Sequence, residues 1–120
     1  MHSSKENMPI MFQAGASYSR QIEWGEMDGC FWAFQKGFDS NGLFKGLPNG
    51  CECPHWGYLL KGKMRVKYAD HEEVITAGDA YYLEPGHLPV MEEDCEMVEF
   101  SPKEESRRML MIASQNMMSR

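Results

Sequence analysis

Apolar and polar residues alternate along much of the chain with the two-residue period of β-strands. In the segment SYSRQIEW, Tyr18, Ile22 and Trp24 fall on one face, and in GKMRVKYAD, Met64 and Val66 point one way while the lysines and arginine beside them point the other. Glycine-rich turns separate these short segments. The pattern predicts an all-β sandwich or barrel.

The turns are predicted from the residues that interrupt the alternation. The tripeptide Met27-Asp28-Gly29 stands between SYSRQIEW and CFWAFQ, and we expect a hairpin turn there. Residues 37–50, GFDSNGLFKGLPNG, are rich in glycine, asparagine and proline. This composition disfavours regular strand pairing and predicts a loop near the centre of the chain.

The period changes after the last predicted strand, CEMVEF. Ser101 is placed to cap a helix, with Pro102 in its first turn and Glu104 at the acidic position of a capping box. Apolar residues then recur at helical spacing, at Met109, Leu110, Ile112, Ala113 and Met117. We therefore predict a tail or leading strand over residues 1–15, a β-barrel over 16–101 and one C-terminal helix over 102–120.

Composition and charge narrow the functional classes. The chain has 120 residues, enough for one domain, and a formal net charge of -6, which argues against a nucleic-acid partner or an anionic membrane surface. Neither a signal peptide nor a membrane-spanning apolar run is present in the sequence. We expect a cytoplasmic protein whose four cysteines are reduced.

The segment CECPHWGYLLKG, residues 51–62, carries the candidate chemistry. Cys51, Cys53 and His55 fall at every second position, so they share one face of an extended segment. His87, after a Pro-Gly turn, is the fourth candidate ligand. Sulfur and imidazole donors suit a divalent transition metal such as zinc, iron or copper. The alternative is that both cysteines pack as small buried hydrophobes.

Aromatic residues near these donors are candidates for a ligand pocket. We predict a small organic ligand contacted by His55, Trp56, Tyr58, Tyr82 and His87. Because alternate strand residues face opposite ways, about half of the aromatic side chains in this region must point outward.

Residues 42–62 resemble the first sequence motif of small single-domain cupins, which places two histidines and a glutamate between two glycines. Counted back from Gly62, the glutamate position falls on His55. The opening glycine position is matched by Gly42 in one spacing of the motif. The two histidine positions fall, according to the spacing, on Pro48 and Gly50 or on Asn49 and Cys51.

The second cupin motif is matched in its glycines, at Gly78 and Gly86. Glu84, Pro89 and Glu93 occupy the positions of its proline, histidine and asparagine. The resemblance implies a double-stranded β-helix, that is, a jelly-roll barrel, but not the family's usual metal ligands. Any metal would need the non-standard cysteine and histidine set described above.

Two functions follow from the resemblance and the residues together. In the first, the barrel cavity binds a small organic molecule without a standard cupin metal site. In the second, the protein is a metal-dependent enzyme of oxygenase, isomerase or lyase type that uses a Cys/His site. Small cupins are similar to one another in forming homodimers, and we expect a homodimer here as well.

Overall fold

The predicted strands form two antiparallel sheets that face each other in a computed structural model. The structure describes residues 1–40, 43–44, 47 and 50–118. The motif positions Gly42, Pro48 and Asn49, the side chain of Met117 and the last two residues of the predicted helix lie outside this description. Within the described residues the elements are β1 (Ile10–Ala14), β2 (Ser17–Trp24), β3 (Met27–Phe34), β4 (His55–Lys61), β5 (Lys63–Lys67), β6 (Glu72–Thr76), β7 (Ala80–Leu83), β8 (Leu88–Met91), β9 (Cys95–Pro102) and α1 (Lys103–Met118), preceded by a short 3₁₀ turn at Lys5–Asn7.

The larger sheet has the strand order β1-β2-β3-β9-β4-β7, and the smaller one has the order β6-β5-β8. The all-β jelly-roll fold with one C-terminal helix is thereby confirmed. From β6 to β9 consecutive strands alternate between the two sheets, so residues distant in sequence meet across the barrel. The core between the sheets contains Leu59, Met64, Val66, Ile75, Leu83, Met91, Cys95 and Met97, all buried.

Helix α1 packs across one end of the larger sheet. Met109 and Ala113 on its inner face are buried, and Arg107 reaches back to the buried Asp28 carboxylate at 3.4 Å. Asn116 donates a hydrogen bond to the carbonyl oxygen of Leu43 at 2.7 Å. The helix thus lies against the same interior as the strands, as its apolar spacing predicts.

The hairpin turn predicted at Met27-Asp28-Gly29 is wrong. Those three residues lie in β3, and the turn between β2 and β3 is Gly25-Glu26. Gly25 has a φ of 65°, the positive value that a two-residue turn with glycine at its first position requires. Asp28 lies in the strand because its carboxylate accepts a hydrogen bond from the Gln21 side chain at 2.9 Å in the interior.

Gly62 is the one residue between β4 and β5. Its φ is 94°, and a Cβ there would overlap the carbonyl oxygen of Asp94 and approach the Cys95 sulfur to 2.8 Å. Gly78 has a similar φ of 99°, yet a Cβ there would meet nothing within 4 Å. Alanine at Gly78 would therefore introduce backbone strain alone, whereas alanine at Gly62 would introduce both strain and steric overlap.

We predict that Gly62→Ala lowers the free energy of unfolding by about 3 kcal/mol or more, because backbone strain and overlap add. Gly78→Ala, the matched control, should cost only about 1–2 kcal/mol. Urea unfolding followed by tryptophan fluorescence measures both. Equal losses in the two variants would contradict the close approach of Gly62 to Asp94.

Candidate metal site and cavity

Cys51, His55 and His87 converge at one end of the barrel interior. One ligand atom from each, the Cys51 sulfur and a ring nitrogen of each histidine, lies within 4.8 Å of the other two. The Cys51 sulfur is 3.9 Å from Nε2 of His55, and the two imidazole rings are 4.9 Å apart between centroids. Three of the four predicted metal ligands are thus brought together.

A pair of backbone hydrogen bonds places Cys51 beside His87. The Cys51 amide donates to the His87 carbonyl oxygen at 3.3 Å, and the Gly86 amide donates to the Cys51 carbonyl oxygen at 2.7 Å. Gly50 precedes this bridge with a φ of 72°, and a Cβ on it would come within 2.7 Å of the Leu88 side chain. A glycine is needed there for the two segments to approach.

Both imidazoles are oriented through their Nδ1 atoms. Nδ1 of His87 donates to the carbonyl oxygen of Glu84 at 2.7 Å, so Nε2 carries the free lone pair in the neutral ring. Nδ1 of His55 forms a hydrogen bond of 2.5 Å with the Ser101 hydroxyl. A hydrogen bond on the second ring nitrogen is the usual support of a metal-binding histidine.

Ser101 therefore does not have the role predicted for it. It lies in β9, two residues before α1 begins at Lys103, and its hydroxyl contacts His55 instead of capping the helix. The reason is the strand alternation of β9, which turns Ser101 inward together with Cys95, Met97 and Glu99.

Burial keeps all three candidate ligands uncharged. It lowers the pKa of His55 to about 4, and burial together with the neighbouring His55 lowers the pKa of His87 to about 4. Burial raises the pKa of the Cys51 thiol to about 12. The histidines are therefore ready to donate lone pairs at neutral pH, whereas the thiol must lose a proton first.

Glu99 is a buried carboxyl group beside this cluster, and the sequence analysis missed it. Its Oε1 is 3.7 Å from Nδ1 of His55, and its Oε2 accepts a hydrogen bond of 2.5 Å from the Tyr81 hydroxyl. Burial raises the pKa of Glu99, while the hydrogen bond from Tyr81 opposes that shift. The signal in the sequence was a glutamate in phase with Cys95 and Met97 on the apolar face of the last strand.

Gly57 makes the contact between Tyr81 and Glu99 possible. It is paired with Tyr81 on one side and with Glu99 on the other. A Cβ on Gly57 would come within 2.5 Å of the Tyr81 ring. Because the position has no side chain, the tyrosine crosses the middle strand and reaches the carboxylate.

A cavity of about 80 Å³ opens from the cluster into the barrel. Cys51, His55, His87 and Glu99 lie on its wall, and most of the remaining wall is apolar, including Phe12, Trp32, Phe34, Phe38, Phe44, Leu83 and Met97. The volume is several times the roughly 10–15 Å³ that one water molecule needs. The donors therefore face a space that can admit a small molecule.

Other residues predicted for the site lie elsewhere. Cys53 is fully buried against Met109, but its sulfur donates to the Pro54 carbonyl oxygen and is not part of the three-residue cluster. Trp56, Tyr58 and Tyr82 are 45%, 46% and 45% exposed and do not line the cavity described above. Trp56 and Tyr58 are on the outer face of the larger sheet because they alternate with the inward His55, Gly57 and Leu59 of β4. Tyr82 of β7 is on the same face because it pairs with Trp56.

The sequence has no match among protein-family models or among curated proteins. Solved structures do resemble it. An RmlC-like cupin from Shewanella frigidimarina superposes with a TM-score of 0.62 at 21% identity, over 83% of this chain and 88% of that one. A cupin-2 domain protein from the same organism gives a TM-score of 0.53 at 16% identity, over 77% and 84% of the two chains.

Oxalate decarboxylase from Bacillus subtilis is a third structural neighbour, represented by a single-site variant. It aligns with a TM-score of 0.61 at 16% identity over 83% of this chain, which spans only 28% of that larger protein. Among the residues that the structure describes, no helix is both long and apolar enough to cross a membrane. These superpositions establish that this chain has the cupin fold.

Proposed function

We propose that this protein binds a divalent transition metal ion, for which zinc is the best fit, through Cys51, His55 and His87, and that a small organic molecule enters the cavity beside the ion. The observation that carries the proposal is the convergence of one sulfur and two imidazole nitrogens within 4.8 Å, all buried or nearly so. Sulfur and nitrogen donors in this number favour zinc over a hard cation such as magnesium.

The geometry fits the ion after a small movement. Typical zinc–sulfur and zinc–nitrogen bond lengths place neighbouring ligand atoms about 3.3–3.7 Å apart in a tetrahedral site. The separation of the Cys51 sulfur from Nε2 of His55 is 3.9 Å. The three ligand atoms lie within 4.8 Å of one another, so binding would draw them together by at most about 1.5 Å, which rotations of the side chains can supply.

The reduced state of the cysteines supports the proposed metal site. All four are free thiols, as expected in the reducing cytoplasm, where we place the protein. Cys53, also predicted as a ligand, packs against Met109 of helix α1 and is not part of the ligand cluster. We assign it a packing role.

Turnover is a second candidate function, and the Glu99–Tyr81 pair is the observation that favours it. Three protein ligands leave a fourth position for water or substrate, and a bound metal supplies Lewis-acid chemistry there. Glu99, hydrogen-bonded to Tyr81 and 3.7 Å from the His55 ring, is the carboxyl group placed to take or give a proton in the cavity.

Oxalate, which the Bacillus subtilis neighbour is named for, is a poor fit to this cavity. Neither lysine nor arginine is among the described residues that line the cavity. One carboxylate could meet a metal ion, but the other would meet aromatic rings or Glu99. Burying an unpaired carboxylate is costly, so oxalate is not the ligand that we propose.

We predict that untagged protein binds one zinc ion and that Cys51→Ser and His87→Ala each weaken the affinity by about 100-fold or more, since each removes one of three ligands. Equilibrium dialysis with elemental analysis measures the affinity. Cys53→Ser and His71→Ala, a buried thiol and an exposed histidine outside the cluster, serve as controls and should bind as the parent does. Equal loss in Cys53→Ser would show that the site is misassigned.

The same site predicts a pH dependence. At pH 6–8 the Cys51 thiol, with its pKa raised to about 12, holds a proton that zinc must displace, whereas both histidines, with pKa values of about 4, are already neutral. The apparent affinity should therefore rise about tenfold per pH unit across this range. In Cys51→Ser the residual affinity should change little with pH, and a steep rise in that variant would argue against a thiolate ligand.

We further propose that the protein forms a homodimer through the outer face of the larger sheet. Trp56, Tyr58, Leu60, Tyr82 and Phe100 are between 41% and 48% exposed there. Phe100, Trp56 and Tyr82 are paired across three adjacent strands, and the rings of Trp56 and Tyr82 stack at 5.1 Å. A contiguous apolar face of this kind suits a two-fold contact, in which the same patch meets itself.

Light scattering after size-exclusion chromatography tests the dimer. We expect a dimer mass for the parent at micromolar concentration and a monomer mass for Trp56→Lys, because the charge would be buried at the centre of the contact. Val74→Lys is the matched control, since Val74 is an exposed apolar residue of the smaller sheet. A monomeric parent would refute the proposed contact.

A further inference from the structure

We infer that the cavity ligand carries an oxygen of ketone or ester type, which accepts a hydrogen bond from the indole N–H of Trp32. The inference rests on the part of the proposed function in which a small organic molecule enters the cavity. It adds one binding contact and the chemical class of the group that makes it, and it does not depend on the metal ion.

The indole nitrogen of Trp32 is a buried donor without a partner. Its Nε1 atom is buried, and it forms no hydrogen bond with any of the described residues. An indole N–H donates and does not accept, and a buried tryptophan usually finds an acceptor for it. Because an unpaired buried donor costs free energy, an acceptor that comes from outside the chain would stabilise this arrangement.

Trp32 is part of the cavity wall, and so are the rings that pack against it. The centroid of its ring is 5.8 Å from that of Phe12 and 5.0 Å from that of Phe34, and all three residues line the cavity. A phenylalanine ring has no oxygen or nitrogen that could accept the N–H. The cavity is therefore the place from which an acceptor can reach Trp32.

Ser19 is the polar side chain to consider first as an acceptor within the chain, because it pairs with Trp32 in the register of β2 and β3. Its hydroxyl is buried and likewise forms no hydrogen bond with a described residue. Ser19 is not among the described residues that line the cavity. Both groups are thus unpaired, but only Trp32 borders a space that a ligand can enter.

The surroundings of Trp32 favour an oxygen that accepts without donating. A buried water molecule ordinarily makes about three hydrogen bonds, and the rings of Phe12 and Phe34 offer it none. An alcohol that accepted from Trp32 would likewise leave its own O–H facing these rings without an acceptor. A ketone or ester oxygen needs only the one donor, and the carbon atoms attached to it gain free energy by contacting the rings.

Two molecules of nearly the same shape test the inference: cyclobutanone and methylenecyclobutane, in which a methylene group replaces the carbonyl oxygen. Each is titrated into isotope-labelled protein, and NMR follows the indole N–H signals of the three tryptophans. We expect cyclobutanone to move the indole proton signal of Trp32 downfield, as a new hydrogen bond does, and methylenecyclobutane to move it little. No downfield shift at saturating cyclobutanone, or no binding of either molecule, would overturn the inference.

Trp32→Phe keeps an aromatic ring and removes the N–H. It should weaken the binding of cyclobutanone about three- to tenfold relative to that of methylenecyclobutane, since the change in cavity size affects both molecules alike. Trp56→Phe is the matched control, because Trp56 is exposed and does not line the cavity, and it should change neither affinity. Equal weakening of both molecules in Trp32→Phe would contradict the proposed hydrogen bond. If that variant does not fold, the shift of the Trp32 signal in the parent decides.

Two further measurements separate this inference from its alternatives. Ser19→Ala should leave the Trp32 signal of the ligand-free protein in place, and an upfield move would show that Ser19 already accepts the N–H. The titrations are run on metal-free and on zinc-loaded protein, and the downfield shift should appear in both. Failure to bind zinc in dialysis would refute the metal proposal and leave the Trp32 contact standing, whereas zinc binding without the shift would refute the Trp32 contact alone.

Discussion

The backbone bridge between Cys51 and the Gly86–His87 turn holds the candidate site together. Cys51 lies just before β4 of the larger sheet, and His87 lies just before β8 of the smaller one. Two hydrogen bonds, at 3.3 Å to the His87 carbonyl oxygen and 2.7 Å from the Gly86 amide, join these segments at the wall of the cavity. Without this bridge, no backbone contact would hold the Cys51 thiol beside the His87 imidazole. The left-handed backbone at Gly50 allows it, because a side chain there would collide with Leu88.

Burial has opposite consequences for the stability of the fold and for the chemistry of the site. Cys51 and His87 are almost completely buried, and Glu99 is buried beside them. Burying polar groups without full hydrogen bonding costs free energy, yet the same burial keeps the imidazoles neutral, with pKa values of about 4. A metal ion would offset the cost by drawing the thiolate and both nitrogens into bonds. In the proposed site, that ion would satisfy the buried polar groups on the wall of an otherwise apolar cavity.

The two-residue alternation was sufficient to predict the strands, although in β2 the polar Ser17, Ser19 and Gln21 are the buried residues. Met64 and Val66 are fully buried, as their phase requires. The helix was equally predictable, since its apolar spacing differs from that of the strands. The turn after β2 was misplaced because Gly25 and Gly29 are both glycines at plausible positions, and the register of β2 with β3, in which Trp24 pairs with Met27, decides between them.

The site was predictable only in part. Cys51, His55 and His87 were candidates by residue type, but their convergence depends on contacts between segments distant in sequence. Aromatic residues such as Trp56, Tyr58 and Tyr82 often line ligand pockets. Here the alternation of β4 and β7 turns their side chains outward. Glu99 and Ser101 were missed as site residues because one resembled a surface acid and the other a helix cap. In both cases the alternation of β9 turns the side chain toward the interior, where its residue type alone would not place it.

X-ray absorption at the zinc edge of the zinc-loaded protein tests the central claim most directly, because it identifies the atoms bound to the ion. The account predicts one sulfur near 2.3 Å and nitrogen or oxygen neighbours near about 2.0–2.1 Å, with a spectral component from imidazole. The sulfur signal should disappear in Cys51→Ser. A first shell of oxygen and nitrogen alone in the parent protein, or two sulfur ligands, would contradict the assignment of Cys51, His55 and His87 as the metal site.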